Sequence, residues 1–360
     1  MNPIKNLWKT RRDSVIAFSI VILAYIIIQI MTATGNLSYS LKGMLVPICA
    51  YVVMAVSLNL TVGILGELSL GHAGFMSVGA FTGIVVTALL SNTVPSDGLR
   101  LAIAMVVAAA AAALVGAVVG VPVLRLSGDY LAIVTLAACE IIKSLINVLY
   151  VGMDSKGLHL SIIEPTFTLE DGGQMIINGP IGVSGINKIS TFNAGIVLVL
   201  VTLFVILNLI NSRHGRAIMA VRDNKIAADS IGISTTRYKL LAFVISAAFA
   251  GMAGTLYAMN YSTVTAAKFD FNLSILVLVF VVLGGLGNIW GSMISATLLT
   301  LLPELLRDLN AYRMLIYAIL LIAMMLFNNS KLKGMLVERL RGLKDRRKTG
   351  NVAQTEGEVD

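Results

Sequence analysis

Glu67, Glu140 and Lys143 are ionisable residues set among long apolar runs. A charge in hydrocarbon is costly, so such residues face a bundle interior or a watery cavity and mark candidate paths for substrate, ions or protons. Glu140 and Lys143 stand three apart, on one face of a helix. They can form an internal ion pair that orients that helix, or belong to a substrate or proton path. Asn59, Glu67, Ser69 and His72 surround a glycine-rich break. There they can glue helices together or line a pathway. Gly284, Gly285 and Gly287 interrupt a second apolar stretch. Broken helices of this kind lie beside the substrate in many transporters. Asn59, Glu67, Ser69, His72, Glu140, Gly284, Gly285 and Gly287 are therefore the candidate pathway.

Other chemistries lack their residues. The sequence has no GxxxxGK[ST] phosphate loop, no HExxH and no GxSxG. The nearest approach to the last, Glu67 to Gly71 (ELSLG), lacks its first glycine. His159 and His214 lie in polar loops, and Cys49 and Cys139 lie in apolar runs. Those cysteines suggest neither a disulfide framework nor a metal site. No catalytic residue and no metal ligand is assigned, and no cofactor is expected on this chain.

The elements that position these residues must be membrane helices. Of 360 residues, 57% are hydrophobic and 13% charged, where soluble domains sit near half and a quarter. Mean hydropathy is +0.87. A soluble enzyme, a disordered chain and a fibrous repeat are excluded. A β-barrel is excluded too, because its strands would alternate apolar and polar residues. The net charge of +8 is concentrated in a few polar segments, which points to membrane topology rather than to nucleic acid.

A membrane helix needs about 20 apolar residues. After a basic segment, residues 1–13, runs of that kind fall at 14–34, 44–62, 72–90, 100–121, 130–150, 194–210 and 240–260. The stretch 274–302 is broken by glycines, and a last run covers 312–327. The first run is too long for a signal peptide and has no convincing cleavage site. Basic loops stay inside. The N-terminus, the loop 211–239 and the tail 328–360 are all basic, so all three belong in the cytoplasm. The stretch 274–302 must then cross twice or enter and leave on one side, as two short helices turning at the glycines. This predicts an all-α integral membrane protein with about ten helical membrane segments and both termini cytoplasmic. Residues 14–327 form one polytopic domain, and part of the tail is expected to be disordered. The loop 151–193 is external, with seven glycines and a turn signal at Glu170–Gly173. It is a folded cap or a solvated connector. Leu65–Leu68 (LGEL) faintly echoes Leu283–Leu286 (LGGL). Three GxxxG steps, Gly79–Gly83, Gly116–Gly120 and Gly287–Gly291, allow close helix packing within the chain or against a partner.

The loop 211–239 holds apolar residues in a charged setting: Ile218, Met219, Val221, Ile226 and Ile231. Ala217 to Ile231 can form one short amphipathic helix. It would lie on lipid headgroups or dock a cytoplasmic partner. Within it Ile226-Ala227-Ala228, three residues and then Gly232 resemble the EAA–x3–G coupling loop of ABC importer permeases. Ile226 replaces the usual glutamate, and the trailing part of that motif is missing. Gly63–Phe75 (GILGELSLGHAGF), Tyr130–Ala137 (YLAIVTLA), Arg237–Phe243 (RYKLLAF), Val282–Gly291 (VLGGLGNIWG) and Leu302–Arg307 (LPELLR) all resemble the LivM-type permease of branched-chain amino acid ABC importers. Together they cover most of residues 43–327.

That resemblance implies a non-catalytic membrane subunit in a bacterial or archaeal cytoplasmic (inner) membrane. Its partners would be a second, LivH-like permease, two cytoplasmic ABC ATPases carrying ATP and magnesium, and an extracytoplasmic substrate-binding protein. Leucine, isoleucine or valine would be carried; urea, amides or other amino acids are the alternative, since members of the same family are assigned to them. The ATPase-coupling segment would comprise Ala217, Ile218, Met219, Ala220, Val221, Arg222, Asp223, Asn224, Lys225, Ile226, Ala227, Ala228, Asp229, Ser230, Ile231, Gly232, Ile233 and Ser234. Gly232 would end its helix in a left-handed turn, and Arg213, Arg216 and Arg222 would meet acidic groups or lipid. Two other classes compete. A stand-alone ion-coupled transporter would use Glu67, Glu140 and Lys143 and would need no docking helix. A membrane enzyme would need a constellation of residues that is not visible.

Overall fold

A computed structural model of the chain describes residues 3–307, apart from 36–37, 92, 127, 155–156 and 164–172, and a few positions between 312 and 322. Most of the expected last span, the tail and most of the Glu170–Gly173 turn lie outside the described residues. Residues up to 301 form one compact unit, and a second begins at Leu302. The described part of the second holds the end of the last helix, where Glu304 pairs with Arg307.

The first unit is built of helices. They are α1 (Pro3–Ala33), α2 (Tyr39–Asn59) with a π-helical turn Leu60–Ile64, α3 (His72–Leu89), α4 (Asp97–Val123), α5 (Asp129–Asn147), α6 (Phe192–Asn211), α7 (Arg213–Asp223), α8 (Lys225–Ser230), α9 (Thr235–Ala258), α10 (Phe271–Gly284) and α11 (Ile289–Leu305). Six of the described helices are long and apolar enough to cross a membrane, and Ala17–Ala33 and Ile289–Leu305 are shorter apolar helices. The sequence runs mark these helices to within a few residues. The first helix begins earlier than its apolar run, at Pro3. Intrahelical hydrogen bonds do not require an apolar setting, and proline suits a first helical turn.

Helix α9 is the hub, packed against α2, α3 and α4. Helix α4 explains how. Leu101, Ala104, Ala108, Ala112, Gly116 and Gly120 recur at helical spacing and are buried, while Val106, Leu114 and Val118 are exposed. The buried stripe is small because lipid tails are as apolar as leucine, so membrane helices associate through close van der Waals contact. Two of the expected GxxxG steps do this within the chain. A Cβ added at Gly79 or Gly83 would run into Gly251 or Thr255 of α9, and one at Gly116 would lie 2.7 Å from the Ala247 Cβ. The Thr255 hydroxyl donates to the Gly79 carbonyl at 2.9 Å. The third step, Gly287–Gly291, instead runs from the tight turn after α10 into the first turn of α11.

Opposite the α7–α8 end, the chain between α5 and α6 folds as a small sheet. Strands β1 (Leu149–Asp154), β2 (Gly157–Ile162) and β3 (Gln174–Asn178) pair antiparallel in the order β2-β1-β3. Strand β4 (Val183–Ser184) pairs with β5 (Thr263–Val264) after α9.

Candidate translocation and coupling site

The segment after α6 is two helices, not the single helix expected over Ala217–Ile231. Ser212 caps α7, accepting from the Gly215 amide at 3.2 Å. Asn224 then leaves helical geometry (φ −158°, ψ 106°) and caps α8 through the Ala227 amide at 3.0 Å. Asparagine competes with helix continuation in this way because its side chain replaces a backbone partner. The helical segment thus starts at Arg213 and breaks at Asn224. Gly232 does take the left-handed turn (φ 83°). The amides of Gly232 and Ile233 return to the carbonyls of Asp229 and Ala228, both at 3.0 Å, which is how such a turn satisfies the last orphan carbonyls.

The two helices present different faces. Gly215, Ile218 and Val221 of α7 are buried. Ile218 joins Leu60, Ile64, Leu65 and Ala242 in one apolar cluster, so α7 packs on the π-helical end of α2 and on α9. The Arg222 stem covers Gly66, where a Cβ would lie 2.6 Å from its Cγ. Its guanidinium donates to the Gly63 carbonyl at 3.3 Å and to Asp223 at 2.9 Å. On α8 and just after it, by contrast, Ile226 and Ile231 are 83% and 74% exposed. Ala228 faces inward.

The glycine break adjoins this contact. Asn59 is fully buried; its amide donates to the Ser292 hydroxyl and its carbonyl accepts from the Gly287 amide, both at 2.9 Å. A Cβ on Gly63 would collide with Asn59 and with the Gly287 backbone, so the end of α2 and the α10–α11 turn meet backbone to backbone. Gly285 and Gly287 hold positive φ (93° and 78°) in that turn, and Gly284 abuts Gly291 across it. Residues 65–71 then run back along α2 without helical structure. His72 returns to the level of Ser57, whose hydroxyl lies 2.9 Å from its Nε2. The Leu70 amide donates to Thr135 Oγ1 at 3.0 Å and the Ala73 amide to Ser274 Oγ at 3.1 Å. The backbone freed by the break is thus satisfied by hydroxyls from α5 and α10, as hydrocarbon requires. Glu67 forms an ion pair with Lys239 of α9, with side chains 13% and 6% exposed. The Ser69 hydroxyl is buried with no partner among the described residues.

Asn59, Glu67, Ser69, His72, Gly284, Gly285 and Gly287 therefore belong to one connected region. Glu140 does not join it. It pairs with Lys143 one turn away on a half-exposed face of α5. Hydroxyls, amides and one neutralised ion pair can bind, pack and transmit displacement.

Residues 40–325 match the family described as the branched-chain amino acid transport system permease component. The chain belongs to this family. The permease is 39% identical to the high-affinity branched-chain amino acid transport system permease protein LivM of Salmonella typhimurium and 38% identical to that of Escherichia coli. Each match covers 81% of this chain and 69% of the relative. It is also 27% identical to the permease protein LivH of Salmonella typhimurium, over 69% of this chain and 79% of the relative. No solved structure matches it. With its apolar helices, the permease is a multi-pass membrane protein.

Sequence reasoning missed several partners in this permease. Lys239 reads as one more loop cation but is buried in the first turns of α9. The signal for it was the acid it neutralises, since Glu67 in an apolar setting needs a cation. Ser57, Thr135, Ser274 and Ser292 carry no such signal, because hydroxyl residues are common in membrane helices.

Proposed function

We propose that the chain is one of two membrane permeases of an ATP-driven importer for leucine, isoleucine and valine. The second permease would be LivH-like, a reading supported by the similarity of this one chain to both LivM and LivH. Two cytoplasmic ABC ATPases hold the ATP and magnesium, and an extracytoplasmic binding protein delivers the amino acid. The complex sits in the cytoplasmic (inner) membrane of a bacterium, with α7 and α8 on the inside and the small sheet outside. In this reading both termini are cytoplasmic, α10 and α11 are two short crossings, and the run 312–327 is the tenth membrane segment.

One observation carries the proposal. Helix α7 is fastened to the π-helical end of α2, while α8 is left projecting with Ile226 and Ile231 exposed. A helix that only rests between spans has no need of such a division. A motion of an ATPase surface gripping α8 reaches the glycine break through Ile218 and Arg222. Such coupling requires an element with two arrangements that the ATPase contacts distinguish, and the break at 63–71 against the 284–291 turn is that element.

The test is the paired substitution Ile226→Asp and Ile231→Asp in a tagged chain recovered from native membranes in mild detergent. Recovery of the ATPases is expected to fall at least tenfold, with the second permease still bound. Undiminished ATPase recovery would remove α8 from the docking surface.

A further inference from the structure

The opposite end of the bundle carries a feature that coupling does not use. A cavity of about 140 Å3 lies between the C-terminal end of α3, the start of α4, the small sheet and the end of α9. Arg100 lines it and is only 8% exposed. One terminal nitrogen of its guanidinium pairs with Asp97, one turn earlier, but its buried Nε has no partner among the described residues. A buried donor left unpaired is costly, more so when charged, so this one invites an acceptor from outside the chain. The rest of the wall divides by chemistry. Ile84, Ile176, Val183 and Met259 give it an apolar side, and Thr87 and Asn187 give it polar atoms.

We infer that this cavity is a binding site for a small carboxylate with an aliphatic side chain, namely a branched-chain α-amino acid. The carboxylate accepts from Arg100, for which a planar guanidinium is well shaped. The side chain lies on the isoleucine and methionine wall. The volume is near that of the roughly 150 Å3 apolar cavity that takes benzene, enough for one small ligand. From Lys239 to Met259 helix α9 rises about 30 Å, so the cavity is remote from the coupling helices. It is an entry site on the face where the amino acid arrives. This inference rests on the importer reading above.

The assembled complex in nanodiscs, without its binding protein, would be irradiated with photo-leucine, a diazirine analogue of leucine. Label is expected in the peptides around Ile84–Ala88 and Gln174–Asn187. Leucine should compete it away, and leucinamide, which lacks the carboxylate, should not. Arg100→Gln is expected to lower the label at least tenfold, and Arg100→Lys less. Ser184→Trp fills the cavity from an exposed position, so it tests the site even if Arg100→Gln fails to assemble; it too should abolish the label. Labelling that survives Ser184→Trp, or is absent from a wild-type complex that transports leucine, overturns the site and leaves the importer reading intact. A wild-type complex with its binding protein and ATP that transports none of the three amino acids overturns the importer reading, and the site with it.

Discussion

Glu67 and Lys239 join the non-helical stretch to α9 in a site that is nearly dry. Removing one partner of a buried pair costs about 3–5 kcal/mol, whereas replacing both by apolar groups is often neutral. Lys239→Met alone is therefore expected to lower the melting temperature of the purified complex sharply. Glu67→Met combined with Lys239→Met is expected to recover most of that stability while uptake stays low, because the tie between the break and α9 is gone. Full uptake by the double variant would reduce the pair to a structural strut. A glycine contrast tests the packing. A Cβ at Gly254 would press into the Met76 carbonyl, while one at Gly98 meets nothing within 4 Å. Gly254→Ala should deplete folded protein, and Gly98→Ala should hold or gain about 0.5–1 kcal/mol of stability, both read by thermal denaturation in detergent.

At the scale of elements, α7 is packed on the bundle while α8 leaves Ile226 exposed, and the proposed docking makes them an arm and its tip. Asn224 separates them and caps the tip. Losing such a cap costs about 1 kcal/mol. Asn224→Ala should therefore weaken ATPase binding severalfold, measured as an affinity on the purified permease pair, with α7 still in place. An unchanged affinity would mean that α8 is not held by its cap in the complex. The helices themselves were legible in the sequence, because a membrane span is announced by unbroken hydropathy over some twenty residues. The two short helices within 274–302 followed from charge bias and the glycines, and α10 and α11 do meet at Gly284–Gly291. The return of residues 65–71 along α2 was not legible. It is fixed by Ser57, Thr135 and Ser274, single hydroxyls from three distant helices, and no local pattern links them. The break at Asn224 was hidden for a different reason. The apolar periodicity runs through it, and only the capping chemistry of one side chain interrupts it.

Across the whole molecule, the parts fit a subunit whose energy source is elsewhere. Helix α7 touches the end of α2, that end touches the α10–α11 turn through Asn59 and Gly63, and α9 links this region to the end that carries Arg100 and the small sheet. Glu140, paired within its own helix with Lys143, is not required for that route, so Glu140→Gln should leave the proton dependence of uptake unchanged. The ATP-driven route is tested by leucine uptake into proteoliposomes that contain this chain, a LivH-like permease and the ATPases, with binding protein supplied at the face of delivery. Accumulation is expected to require ATP and magnesium, to persist when proton and sodium gradients are collapsed, and to disappear when Ile226 and Ile231 are both aspartate. Accumulation by this chain alone, driven by an ion gradient and indifferent to ATP, would contradict it.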